Sequence, residues 1–352
     1  MVTLGLSISV LNDGSNLSLS QFGNEICILK DNSLICVNTC ETSNPSLTYT
    51  LGSVGVNLED VHTVSVTHSG QPWMITDKLI KKIRNRLNLK EDQNVVVVPS
   101  KQMSYAYTSY FTSGVETSLL IVANQDEADA SQPVISYYMA DKDRIEPIDY
   151  DFAHQDPYSF SRVSDLLVEY LALNPEEPVE VQKLALFGKE KYKDLGDIWS
   201  LDAEGHLYST IPMPADGEVS LAGIFTHFGV SIPAPRDAKE PLDEEHAEIA
   251  QFIQGQMEKW FSQKVNQLLV KHPVNNVCIS GDLSQNRLLL DRMASTLPIS
   301  NVYIPPMDYC QNLSIGNTIY SVVHAKDTPV NINELKLKFH MENIYRTYLC
   351  CC

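Results

Sequence analysis

The chain has 352 residues, 43% of them hydrophobic and 20% charged, and carries a formal net charge of −18. That composition marks an ordinary globular protein long enough for two domains and excludes a disordered chain. No apolar run reaches membrane-spanning length, the start MVTLGLSISV lacks a basic signal region, and so acidic a surface repels a nucleic-acid backbone. The expectation is an intracellular, cytoplasmic protein that binds neither nucleic acid nor membrane.

In chain order, the first forty residues read as strands. LGLSISVL and NLSLSQF flank the turn signal Asn12-Asp13-Gly14-Ser15, and EICILKDNSLICV breaks at a second hairpin, Lys30-Asp31-Asn32-Ser33. ITDKLIKKIRNRLN (75–88) places Leu79, Ile83 and Leu87 on one helical face, and its basic cluster Lys81–Arg86 reads as the solvated face. NVVVVP reads as a strand covered on both sides. KQMSYAYTSYFTSG (101–114) follows, with a helix predicted across Tyr105–Phe111 and closed by Gly114.

A second round of strands then begins with SLLIVAN and PVISYYMA, separated by an acidic loop. SFSRVSDLLVEYLAL (159–173) has helical spacing at Val163, Leu166, Leu167 and Leu171, and the Pro-rich stretch 230–245 is a surface loop. The strongest helix, EEHAEIAQFIQGQMEKWFSQKVNQLLVKH, carries the stripe Ala250, Ile253, Met257, Trp260 and Leu268, with acids at its start to suit the helix dipole. NVCISGD is a strand ending at Gly281; a helix over Arg287–Thr296, a strand VYIP and a last helix IGNTIYSVVHA follow. Hairpin strands then helix, repeated, predict a duplicated two-lobed α/β fold of the actin, sugar-kinase and heat-shock-ATPase (ASKHA) plan. The first lobe is expected over 1–116, the second over 117–325 with its last helix returning toward the first, and a tail over 326–352.

Several stretches, in order, resemble the N-terminal domain of the ATP-dependent O-carbamoyltransferases, the nodulation-factor and antibiotic-tailoring enzymes related to tRNA threonylcarbamoyladenosine synthase. HAEIAQFIQGQMEKWFSQKV (246–265), CISGDLSQN (278–286), IPPMDYCQNLSIGNTIY (304–320), VEVQKLALFG (179–188) and KQMSYAYTSYFTSG carry the resemblance, which spans about residues 20 to 325. In that family, histidines of the helix matched by KQMSYAYTSYFTSG and an aspartate of a GD motif hold a metal. Here the histidine positions are Lys101, Gln102 and Tyr105, and the aspartate position is Cys310, with Asp308 two residues before it. A lysine must lose its proton to ligate, a glutamine is a weak neutral donor, and Tyr105 must become a phenolate. The stretch therefore reads as the shell of a metal site whose ligands gave way to packing residues, with Tyr105, Tyr107 and Tyr110 filling the cleft.

The resemblance also implies nucleotide-binding positions. Gly281 and Asn286 match the family's loop, but Asp282 replaces its second glycine and sets a carboxylate against phosphate. Gly316 reads either as part of the nucleotide site or as a glycine for close helix packing. The family's phosphate-touching motif falls on Phe22-Gly23-Asn24 or Asn12-Asp13-Gly14, and a second turn on Val122-Ala123-Asn124-Gln125. No cofactor is expected, with ATP/Mg²⁺ as the alternative, and the family's carbamoyl-activating domain has no counterpart after residue 325.

The reading that follows is a catalytically degenerate carbamoyltransferase-like pseudoenzyme, acting through protein–protein interaction as a scaffold, inert partner or homo-oligomer. Two alternatives stand beside it. One is a diverged carbamoyltransferase supplied by another chain and using Asp308, Asp282 and Asn286; the other is a purely structural subunit. Of the remaining groups, His62 and His68 read as solvated or capping, and His227 as a core histidine. Asp149 and Asp151 form a candidate acid pair without a partner motif, and Cys27 and Cys36 read as buried thiols. Cys350, Cys351 and Cys352 lack a C-a-a-X pattern, so a plain tail is preferred over lipidation.

Overall fold

The computed structural model describes residues 2–12, 17–30, 33–38, 51–52, 54–67, 77–123, 133–142, 144–151, 156–174, 179–214, 217–305, 309–324 and 336–340. The chain divides into two compact units. The first takes Met1–Glu116, Lys142–Ile145 and Ile304–Cys352; the second takes Thr117–Asp141 and Glu146–Tyr303.

In the first unit, β1 (Val2–Asn12), β2 (Leu17–Lys30) and β3 (Ser33–Asn38) form successive antiparallel hairpins, the second closing with Lys30 opposite Ser33. β4 (Thr63–Thr67) lies parallel to β1. A parallel neighbour needs a crossover, which α1 (Asp77–Leu87) supplies before β5 (Asn94–Val98) pairs with β4. α2 (Lys101–Ser113) ends this run. Its first turn starts four residues before the predicted helix because the Ser100 hydroxyl accepts a hydrogen bond from the Met103 amide, while Gly114 ends it as expected.

The second unit repeats the plan. β6 (Thr117–Ala123) and β7 (Ile135–Asp141) are antiparallel, and β8 (Arg144–Asp151) lies beyond β7. Then come α3 (Phe160–Leu171), α4 (Val179–Ala185), the small ribbon β9 (Trp199–Leu201) and β10 (Leu207–Ser209), and α5 (Leu221–His227). α6 (Glu244–Lys271) leads into β11 (Asn276–Gly281), parallel to β6, and α7 (Arg287–Thr296) crosses to β12 (Asn301–Tyr303), parallel to β11. α8 (Tyr309–Val323) and β13 (Lys336–His340) belong to the first unit, where β13 extends the sheet beside β3. Leaving β13 aside, the first sheet runs β3-β2-β1-β4-β5 and the second β8-β7-β6-β11-β12. Numbered within each unit, both orders are 3-2-1-4-5, so the chain is a duplicated α/β fold.

Side-chain alternation explains why the first sheet is covered on both faces. Ile26 and Ile28 of β2 pack with Leu4, Val64, Leu79 and Ile83, whereas Cys27 and Leu29 face Tyr107, Ile315 and Ile319. Each such fully buried aliphatic side chain contributes about 1.5–3 kcal/mol. β5 departs from the expectation of a strand covered on both sides. It is an edge strand of the described sheet, and only Val98 of its five residues is buried. Helix α6 matches its stripe, with Ala250, Ile253, Met257, Trp260 and Leu268 all buried, and Asp243 caps it by accepting from the His246 amide. Among the described residues, no helix is long and apolar enough to cross a membrane.

α8 lies against α2, β1 and β2 at backbone distance. A Cβ at Gly316 would stand 1.9 Å from the Ser104 carbonyl oxygen and 2.8 Å from the Thr108 hydroxyl. The closest obstacle is helical backbone, which cannot yield without moving α2. Gly316→Ala is therefore expected to destabilise the first unit by about 1–3 kcal/mol or more, read as a lower urea midpoint.

Candidate functional site

The positions matched to a metal site lie on the inner face of α2. Lys101, Gln102 and Tyr105 are all buried, at 4%, 2% and 0% exposure. Beside them, Asn317 of α8 accepts hydrogen bonds from Ser104 Oγ at 2.6 Å and Thr67 Oγ1 at 2.9 Å, a closed polar network with all three side chains buried. Tyr107 and Tyr110 are also buried; the Tyr107 hydroxyl meets His324 Nε2 at 2.9 Å, and that of Tyr110 donates to the Glu116 carbonyl. A divalent ion asks for carboxylate, imidazole or thiolate donors. An ammonium, an amide and a phenol do not fit one, and no group of three or more His, Cys, Asp or Glu gathers among the described residues. Cys310 lies in the first turn of α8, and Asp308 lies outside the described residues, as do Asp13, Gly14, Asn124, Gln125 and His68.

The positions matched to a nucleotide loop are tied into the second unit's own framework. Gly281 ends β11 at φ +80°, and a Cβ there would stand 1.7 Å from the Ala123 carbonyl oxygen of β6. The neighbouring strand is thus enough to require glycine. Asp282, half-buried, opens a short 3₁₀ turn to Gln285. Asn286 Oδ1 caps α7 by accepting from the Leu289 amide at 3.1 Å. The same side chain exchanges two 3.0 Å hydrogen bonds with Gln254 of α6. Gln182 of α4 clamps the loop further, donating to the Gln285 carbonyl and accepting from the Arg287 amide. Both the oxygen and the nitrogen of the Asn286 side chain are thus engaged by the fold.

Away from all of these, the second unit contains a cavity of about 610 Å³ between β8, the β9–β10 ribbon and the start of α3. Asp149 and Asp151, two apart on β8, share a strand face at its floor, with side chains 16% and 17% exposed. Behind them the fully buried Lys264 of α6 donates to Asp149 Oδ2 at 2.6 Å and to the Gly205 carbonyl at 2.7 Å. Its ammonium also lies 5.2 Å from the ring centre of Tyr137, whose hydroxyl donates to Asp151 Oδ2 at 2.7 Å. Burial raises the Asp151 carboxyl above its ordinary range, against the opposing pull of Lys264 and Tyr137, and Asp149 adds to the rise. Burial and then the Asp151 charge push the Tyr137 phenol well above 10.

The cavity's remaining acids have structural duties. Asp202 accepts from the Gly205 and His206 amides at 2.7 and 2.8 Å, and Asp156 accepts from those of Tyr158 and Ser209. Tyr150, Tyr208 and Met213 are exposed at the rim, with Phe160 and Trp199 stacked at 4.4 Å behind them.

No protein-family model matches the chain, and no curated protein matches it. Among solved structures it is similar to component A of (R)-2-hydroxyglutaryl-CoA dehydratase from Acidaminococcus fermentans, at 14% identity over 91% of this chain and 97% of that one, TM-score 0.44. A ROK family glucokinase from Streptomyces griseus, solved with glucose and AMPPNP, shares 12% identity over 90% and 98%, TM-score 0.43. Full-length HypF in a phosphate- and nucleotide-bound form shares 12% over 92% of this chain and 56% of that one, TM-score 0.48. These likenesses carry no residue or activity across to this chain. The fold is a duplicated α/β plan, and the strand order common to both units is what establishes it.

The sequence flagged Asp149 and Asp151 but not their partners. Lys264 was visible as the polar interruption of the α6 stripe between Trp260 and Leu268, whereas no local pattern marked Tyr137 or the Asp202–His206 turn. His227 is exposed at the end of α5 and is not a core histidine, because the ring meets only the edge of the adjacent Phe228. His62 has the expected capping role, its Nδ1 accepting from the Val2 amide at 3.4 Å.

Two outcomes follow from these contacts. Lys264→Met leaves the Asp149 carboxylate without its cation inside the protein, and a loss of about 3–5 kcal/mol in urea unfolding is expected. Burial also lowers the His324 pKa below 6.5, so the folded chain favours the neutral ring. Its stabilising effect is complete above 6.5 and is lost as pH falls through the lower, folded-state value. Between about pH 7.5 and pH 5 the wild type should lose more thermal midpoint than His324→Gln, as scanning calorimetry would record.

Proposed function

We propose that this chain is a catalytically degenerate relative of the carbamoyltransferase-like proteins, a pseudoenzyme that uses the duplicated fold as a protein-binding scaffold or inert partner subunit. The observation that carries the reading is the inner face of α2. Lys101, Gln102 and Tyr105 stand buried where the resembled family keeps metal ligands, beside the closed Thr67–Ser104–Asn317 network. The second unit supports it, since Gly281 and Asn286 are accounted for by Ala123 and Gln254 without a nucleotide. A protein-binding role draws support from Leu186 and Phe187, which stand 68% and 73% exposed just after α4.

The test is calorimetric titration of the purified chain with ATP, with and without Mg²⁺, together with elemental analysis for bound iron and zinc. The expected result is no saturable binding up to about 1 mM ATP and no stoichiometric metal. Binding in the micromolar range, or a metal at one equivalent, overturns the degenerate reading and directs attention to transferase activity with a supplied carbamoyl-adenylate.

A further inference from the structure

We propose that the cavity of the second unit is a binding site for a small organic amine. The ammonium is held at Asp151, beside Asp149, and the hydrocarbon part lies against Phe160, Tyr150 and Tyr208. The inference is independent of the reading above, because none of these residues belongs to the positions matched to a metal or nucleotide.

Charge at the floor selects the ligand's sign. Two carboxylates face one buried ammonium, so the cluster keeps one negative charge in a poorly solvated place. Lys264 carries one charge for two carboxylates, and two of its three donors go to Asp149 Oδ2 and the Gly205 carbonyl. Asp151 Oδ1 lies 4.0 Å from Lys264 Nζ, beyond hydrogen-bond range, while Asp151 Oδ2 is already taken by Tyr137. Among the described residues, Asp151 Oδ1 is left without a hydrogen bond at the floor. The raised pKa of Asp151 reflects the same uncompensated environment. A ligand ammonium on this oxygen restores one cation for each carboxylate.

The other ligand classes fit less well. An anion meets two carboxylates at the floor, Lys264 faces inward to its partners, and His206 is paired with Asp202. A metal ion would need a third protein ligand of suitable chemistry, and no such triad assembles among the described residues. Asp149, Asp156 and Asp202 do not enlarge the anionic set open to a ligand: backbone amides occupy Asp156, backbone amides and the His206 ring occupy Asp202, and the Tyr150 amide and Lys264 occupy Asp149.

Walls and rim select the rest of the molecule. About 610 Å³ falls in the range of small-molecule sites, and aromatic side chains line both the interior and the mouth. Tyr150 and Tyr208, at 37% and 45% exposure, hold apolar rings at the mouth of the cavity, where the hydrocarbon part of the ligand packs against them. A formal charge of −18 raises the local concentration of cations around the chain.

The deciding experiment compares 2-phenylethylamine with its neutral analogue 2-phenylethanol by isothermal titration of the full chain. The amine is expected to saturate one site and to bind at least about tenfold more tightly than the alcohol. Asp151→Asn should weaken the amine by about tenfold and leave the alcohol unchanged, so the gap between the two closes. Tyr208→Ala, at an exposed position that folding does not depend on, should weaken the amine by roughly threefold to tenfold. Equal affinity for amine and alcohol overturns the proposal, as does the absence of saturable amine binding at about 10 mM. An affinity indifferent to Asp151→Asn in a folded variant overturns it too, since it means adsorption to the acidic surface at large. Should Asp151→Asn fail to fold, the wild-type comparison and Tyr208→Ala decide the matter. Neither result bears on ATP, so this proposal and the degenerate reading fail separately.

Discussion

A lysine with no exposed surface must be paired where it stands, and Lys264 organises the second unit around that requirement. It sits in the C-terminal half of α6, the longest helix among the described residues, on the stripe that otherwise packs against the core. Its ammonium fixes β8 through Asp149, holds the 202–206 turn through the Gly205 carbonyl, and lies over Tyr137 of β7. One cation therefore ties helix, sheet and ribbon together, and the cavity lies between two of them, β8 and the ribbon, and the start of α3. Hydrophobic residues of similar volume often replace a buried ion pair without loss of stability, so the retained charges define a chemistry as well as a fold.

The first unit solves a related problem with neutral groups. Where α2 and α8 approach at backbone distance, Gly316 removes the side chain that would hold them apart, and Asn317 next to it gathers the Thr67 and Ser104 hydroxyls. Thr67, Ser104 and Asn317 bond to one another there without an ion. Gly281 makes the same point in the second unit, where a residue type associated with phosphate approach is already required by the Ala123 carbonyl. A glycine or asparagine matched to a binding motif thus has a packing explanation in each unit, and the proposed loss of catalysis rests on that double accounting.

Local periodicity and turn chemistry determined most of the framework by themselves. The Lys30–Ser33 hairpin, the buried faces of α1, α3 and α6, the bounds of α7 and the repetition of strands then helices follow from spacing, because each depends on neighbours within a few residues. The pair Asp149 and Asp151 was visible for the same reason: two residues apart on a strand means one face. Only the tertiary structure decided what lay opposite them. Lys264 comes from 115 residues further along the chain, and nothing in IDYDF encodes its arrival. The same limit explains β5, whose apolar run is silent about whether a further strand covers its edge, and His227, whose surroundings depend on where α5 ends. Sequence fixes which faces are apolar because that is a property of consecutive residues; charge pairing, edge position and the cavity depend on long-range packing, which brings distant residues together.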